Sequence, residues 1–169
     1  MKFSSQEEYG LRCLLQLSRP HDGKAVPAAL TIPEISRSTG LSEPYVAKLM
    51  GILRRGGLVK SVRGQAGGYA LARQPEQIPV GEALAVLGGR LFASDFCDRH
   101  PGHAHTCTQS DDCSIRSLWG AVQQVVDRVL NHTTLRDLMG NERQMAKLAN
   151  HLVSISESLP VMAKPVRTQ

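Results

Sequence analysis

The sequence is poor in aromatic residues. Three Phe, three Tyr and one Trp amount to 4% of 169 residues, so any core must be mostly aliphatic. It has no apolar run long enough to span a bilayer, which predicts no membrane association. Met1–Ser5 carries no apolar stretch before Gln6, Glu7 and Glu8, which argues against a secretory signal. The expected location is therefore the cytoplasm, a reducing compartment where clustered thiols bind metal or sense redox more often than they form structural disulfides. No phosphate-cradling glycine loop opens a helix, no nucleophile elbow is present, and no metal site has an obvious general base. An enzyme acting on a small-molecule substrate is not expected.

Acidic residues are scarce in one stretch. Residues 1–76 hold 11 Lys/Arg against 6 Asp/Glu, while residues 77–169 hold 9 of each. The whole +5 excess thus lies in the first half. Within 42–75, Lys48, Arg54, Arg55, Lys60, Arg63 and Arg73 face only Glu43. Such a patch suits an anionic polymer if the local geometry presents it on one face.

The periodicity predicts a mainly α fold with a small β-hairpin wing, a winged helix-turn-helix followed by a long dimerisation helix. A first helix is expected over Ser5–Leu17, with Ser5 and Glu8 at capping-box spacing. Pro20, Gly23 and Pro27 make Arg19–Leu30 a loop. A second helix starts at Thr31, capped with Glu34, and ends at Gly40. Ser42 can cap a third, whose Val46, Leu49, Met50 and Leu53 repeat at i, i+3, i+4, i+7 before Gly56-Gly57 stops it. Two short helices joined by a glycine turn form a helix-turn-helix. Leu58–Arg63 and Tyr69–Ala72 alternate as strands around Gly64–Gly68, a wing. A further helix fits Pro79–Leu87. Phe92–Cys113 has no usable period. From Ser114 a long amphipathic helix carries Ile115, Leu118, Trp119, Val122, Val125, Val126, Val129 and Leu130, a stripe suited to a second copy of the chain. Thr134 and Asp137 cap a short helix, and Glu142–Leu159 is amphipathic again. The expected divisions are 1–90 for DNA binding, 91–113 for a cysteine loop, 114–140 for dimerisation, 141–160 for a C-terminal helix and 161–169 for a tail.

With Val46, Leu49, Met50 and Leu53 turned inward, the third helix leaves Ser42, Tyr45, Ala47 and Lys48 at its groove-facing end. Lys48, Arg54 and Arg55 can neutralise phosphates, while Ser42 and Tyr45 can hydrogen-bond to phosphates or base edges. In the wing, Arg63 can enter a narrow minor groove, and Gln65, Gly67 and Gly68 belong to the turn approaching the duplex.

Glu8–Arg12, Leu58–Tyr69 and Val80–Glu82 resemble the IscR/NsrR family of iron–sulfur regulators (the Rrf-two family), over about residues 1–140. Leu118-Trp119 and Asn131–Leu138 resemble the ends of that family's dimerisation region. The resemblance implies a homodimeric winged-helix transcription factor, a repressor on a palindromic operator in double-stranded DNA. Ala47 stands where the family's cluster regulator has an acidic residue that tunes sequence preference. Cys97, Cys107 and Cys113 match its three cluster cysteines, with nine residues in the first gap, against five in the family, and five in the second. The resemblance implies a 2Fe-2S cluster ahead of 4Fe-4S, sensing iron, redox state or nitric oxide. Arg116 occupies the place of a ligating histidine. Glu8 matches the carboxylate ligand that the nitric-oxide-sensing branch supplies from the opposite subunit, and its alternative role is the cap with Ser5. His100, His103 and His105 are rival ligands. A structural zinc site and a metal-free thiol switch stay open beside the cluster. Cys13, among apolar residues of the first helix, is expected in the core.

Overall fold

The computed structural model of the chain describes residues 4–19, 29–64, 67–89, 96–100, 107 and 112–158. Most of the Arg19–Leu30 loop, Gln65, His103, His105 and the 161–169 tail lie outside the described residues.

Helix α1 spans Ser5–Ser18. Its cap falls one residue earlier than expected. Ser4 is the N-cap and pairs reciprocally with Glu7, whose Oε2 accepts from the Ser4 N–H at 2.6 Å. The segment Ser4-Ser5-Gln6-Glu7-Glu8 contains two overlapping matches to the capping pattern, and the hydrophobic period alone does not choose between them. Glu8 is thereby released from the capping role. Helix α2, Ile32–Thr39, begins as expected, with Thr31 and Glu34 satisfying each other's backbone N–H groups, and ends on Gly40 at φ +73°.

Helix α3, Glu43–Arg55, follows at once. Ser42 sits at its N-cap, but its side chain makes no capping bond. The reason is local. A capping oxygen accepts from N2 or N3, and N2 is Pro44, which has no N–H to offer.

Strands β1 (Val59–Val62) and β2 (Gly68–Leu71) pair antiparallel, Val59 opposite Leu71 and Val62 opposite Gly68. Leu30 adds a short third edge, exchanging both backbone bonds with Tyr69 at 2.8 and 2.9 Å. A 3-10 turn at Pro75–Gln77 leads into α4, Val80–Leu87. Helix α5 is a single turn, Phe96–Arg99, too short to show a period in sequence. Helices α6 (Ser114–His132), α7 (Leu135–Leu138) and α8 (Glu142–Ser158) complete the chain, with Thr134 and Asp137 capping α7 as expected.

One aliphatic core joins α1, α2, α3, the hairpin and α4. Leu14, Leu17, Ile35, Leu49 and Leu53 are fully buried. Leu135 of α7 is buried in the same core. The chain returns to it because the Val80 N–H donates to Thr133 O and the Leu135 N–H to Ile78 O, at 2.8 and 3.0 Å. The end of the long helix is thus stitched to the entrance of α4.

Candidate functional site

Helix α3 has two faces. Val46, Leu49, Met50 and Leu53 are fully buried, while Ala47, Lys48, Arg54 and Arg55 are exposed and Tyr45 is half-buried. Ser42 is exposed, its hydroxyl uncommitted to the cap. Lys60 on β1 and Arg63 just beyond it are also exposed. Among the described residues, no carboxylate lies within ion-pair distance of Lys48, Arg54, Arg55, Lys60 or Arg63. Their charges remain available to an outside anion. Arg73 differs, because its guanidinium donates to Glu82 at 2.5 Å and to Gln77 O at 3.2 Å, bracing β2 against α4.

The wing's glycines have internal reasons for their identity. The Gly67 N–H donates to Gly64 O at 2.9 Å, and a Cβ on Gly67 would come within 2.7 Å of two backbone oxygens. Gly68 has φ +149°, and a Cβ there would meet the Leu30 carbonyl at 2.4 Å. Gly68 therefore permits the third edge.

Tyr45 is held from outside its own helix. Tyr9 of α1 meets it edge-to-face, ring centroids 6.1 Å apart at 87°. The Lys48 ammonium lies 5.9 Å from the Tyr45 centroid, and the Arg12 guanidinium 5.5 Å from that of Tyr9. Sequence reasoning missed Tyr9, since no period links residues that meet only through tertiary packing.

Glu8 is exposed and accepts from Arg12 at 2.8 Å, one turn along α1. Its carboxylate is neither in a cap nor in the core.

The four thiols fall into two kinds. Cys13 is fully buried, and loss of solvent pushes its pKa up to about 11, keeping it protonated. Cys97, Cys107 and Cys113 are half-buried, and none is in a disulfide. Cys97 lies on α5, whose end is held by Phe96 stacked on His100 at 4.3 Å. Cys113 is the N-cap of α6, its Sγ accepting from the Arg116 N–H at 3.4 Å. Three thiols are a donor set suited to a soft metal centre. Among the described residues, however, no three His, Cys, Asp or Glu side chains approach closely enough to hold a metal ion.

Helix α6 exposes Ile115, Leu118 and Trp119, at 63%, 58% and 45% of their full areas. They follow i, i+3, i+4 and form one apolar face. Among the described residues, no helix is long and apolar enough to cross a membrane.

Comparison with known proteins adds four findings of one kind. The family model Rrf2, iron-dependent transcriptional regulator, matches residues 3–141. The HTH-type transcriptional regulator CymR of Bacillus subtilis (strain 168) is 32% identical over 138 residues, covering 82% of this chain and 89% of the relative. Among solved structures, T. potens IscR aligns with a TM-score of 0.60 at 32% identity, over 98% of this chain and 94% of its own. The oxidized form of Staphylococcus aureus CymR aligns with the same TM-score at 29% identity, over 83% of this chain and 98% of its own.

Proposed function

The chain belongs to the Rrf2 family of DNA-binding transcriptional regulators and is not an enzyme; from that premise we propose that it acts in the cytoplasm as a homodimeric repressor on a palindromic operator, reading DNA with α3 and the wing and sensing its signal through the thiols before α6. The observation that carries the proposal is the division of α3. One face is sealed into the core, and the other offers Lys48, Arg54 and Arg55, which have no counter-charge among the described residues. Phosphate contacts by these residues and by Arg63 would set orientation. Ser42, Tyr45 and Ala47 stand at the end of α3 that meets base edges in helix-turn-helix docking. Gln65, Gly67 and Gly68 would let the wing's backbone approach the duplex. The apolar face of α6 would meet its copy and set the spacing between two reading helices.

In the sensing step, Cys97, Cys107 and Cys113 would hold an iron–sulfur cluster, 2Fe-2S rather than 4Fe-4S, with Glu8 of the partner subunit as fourth ligand. A bound cluster would supply redox and nitric-oxide chemistry. This chain's part is to offer three thiolates beside the start of α6 and an exposed carboxylate on α1. The similarity to IscR and the freedom of Glu8 from the cap support this reading.

A second reading is favoured by a specific observation. Cys97, Cys107 and Cys113 are free thiols, no three donor side chains gather among the described residues, and a similar regulator, CymR, has been solved in an oxidized form. A thiol switch would need only two of them to approach.

Anaerobic purification followed by iron, sulfide and visible-absorption measurements separates the two. Stoichiometric iron and sulfide support the cluster. Metal-free protein whose DNA affinity changes with reversible thiol oxidation supports the switch, and a colourless protein with stoichiometric zinc overturns both. For DNA binding, fluorescence anisotropy against duplex at several salt concentrations is decisive. The salt slope should fall by about 0.9 for each phosphate contact removed by Lys48→Ala, Arg54→Ala or Arg55→Ala. Failure to bind any duplex at low salt would end the proposal.

A further inference from the structure

The segment from Ile78 to Glu82 ties the reading half to the end of the long helix, one residue after another. The Ile78 carbonyl accepts from Leu135 and the Val80 N–H donates to Thr133 O, with Pro79 and Thr134 bridged between them as an antiparallel pair. Thr133, the C-cap of α6, is buried, and its hydroxyl donates to Val129 O at 2.8 Å. Gly81 follows on α4. A Cβ on it would meet Asn131 Oδ1 at 2.2 Å and the Leu130 Cβ at 3.4 Å. Glycine is a poor helix residue, and Gly81 has no positive φ to account for it. The close approach of α6 does. At the far end of α4 the fit is equally tight, since a Cβ on Gly56, the C-cap of α3, would lie 2.3 Å from the Val86 side chain. Helix α4 thus touches the reading helix at one end and α6 at the other, and one partner in each contact is a glycine.

We propose that Gly81 and Asn131 are positioning residues for operator recognition: their close approach fixes how far each α3 stands from the twofold axis, and so which half-site separation the dimer accepts. The proposal rests on α3 as reader and on α6 as the contact between subunits. Relieving a 2.2 Å contact to an ordinary 3.4 Å requires a movement of about 1 Å between α4 and α6. Because α3 is packed against α4, it moves with it. The twofold doubles the displacement to about 2 Å between the two reading helices, more than half of the roughly 3.4 Å rise of one base pair.

The test uses the full-length protein. Selection from random duplexes about 40 base pairs long, enough for two half-sites a helical turn or two apart, gives the wild type's paired half-sites and their separation. Fluorescence anisotropy then compares a single half-site, the selected pair, and the pair with one base pair added or removed at its centre. Melting temperature and dimer mass are measured in parallel. Gly81→Ala should bind the single half-site as wild type does and lose or shift the preference among separations. Its affinity for the selected pair should fall about tenfold, part of the roughly 10²–10⁴ that simultaneous engagement contributes. Gly81→Leu should act further in the same direction. Asn131→Ala leaves the added methyl of Gly81→Ala only Leu130 to meet, at an ordinary distance, and should restore the wild-type preference. Asn131 is exposed, so this pair of variants carries the test if Gly81→Leu does not fold. Folded, dimeric Gly81→Ala and Gly81→Leu that keep the wild-type preference overturn the proposal while leaving α3 as reader. Equal weakening on one half-site and on two also overturns it, by placing the effect of Gly81 within the reading unit. A wild type whose selected duplexes carry no paired half-sites overturns the dimeric reading, and the positioning role with it.

Discussion

Residues 4–89 and residues 96–158 differ in what each can satisfy by itself. The first region closes its own core. Each helix that enters it buries one face, its turns end on glycines with suitable backbone angles, and α3 turns mainly polar and charged side chains outward. The second leaves Ile115, Leu118 and Trp119 in solvent and three thiols half-exposed. A monomer pays in exposed apolar area for that arrangement, and soluble chains seldom keep such a face uncovered without a partner. The comparison teaches that residues 4–89 bury their own apolar faces, whereas α6 keeps one uncovered that suits the second subunit proposed above. Leu135 is the exception that joins them, since it comes from beyond the long helix yet lies in the first region's core.

The sharpest way to break this comparison is to charge the uncovered face. Leu118→Glu with Trp119→Glu should convert the protein from dimer to monomer by light scattering at micromolar concentration, with helical content retained. A dimer that survives both changes would place the subunit contact elsewhere. Next in size is the joint itself. Leu135→Ala removes a fully buried side chain and should cost about 2–5 kcal/mol in chemical denaturation. It should lower the melting temperature of the DNA-binding half although the residue lies over forty positions past it in sequence. A loss below about 1 kcal/mol would mean that α7 is not part of that core.

The thiols give the third contrast, one that pH reads out. Cys13 has its pKa pushed up to about 11 from 9.0. The folded state therefore holds this proton more tightly than the unfolded chain does. Its contribution is fully present below pH 9 and is lost as pH rises toward 11. The stability of the wild type relative to Cys13→Ala should fall by about 2–3 kcal/mol across that window. Groups common to both proteins cancel in the difference. A flat difference would show that Cys13 is solvated. In the native metal-free protein a thiol reagent should accordingly modify Cys97, Cys107 and Cys113 ahead of Cys13.

What was legible in the sequence follows the same division. The helix-turn-helix and wing could be read because their signals are local: Thr31 with Glu34, Gly40 after α2, alternation either side of Gly64–Gly68. The placement of Ser4 rather than Ser5 as the first cap could not, because two matches overlap and the choice depends on how α1 docks. Gly10 shows the constraint: a Cβ there would meet the Leu87 side chain at 2.3 Å, so the helix must present that position to α4. The Tyr9–Tyr45 contact was hidden for the same reason, being made by packing rather than by period. The cysteines were conspicuous by type, but among the described residues no three donor side chains gather at one point. Sequence names donors; it does not fix where they converge.

The smallest effect separates a residue used by the fold from one left for a partner. Thr31 and Ser42 both occupy N-cap positions before helices of the same motif, and both are hydroxyl residues. Thr31 is bonded reciprocally to Glu34, so Thr31→Ala should cost about 1 kcal/mol of stability. Ser42 makes no capping bond, and Pro44 two residues on offers no N–H for one. Ser42→Ala should therefore leave the melting temperature unchanged. If its hydroxyl meets DNA, the variant should still bind the operator more weakly, by about the two- to tenfold that one hydrogen bond is worth. Equal stability losses for the two variants would return Ser42 to a structural role and remove it from the reading surface. The opposite pattern would separate fold from function at two adjacent turns.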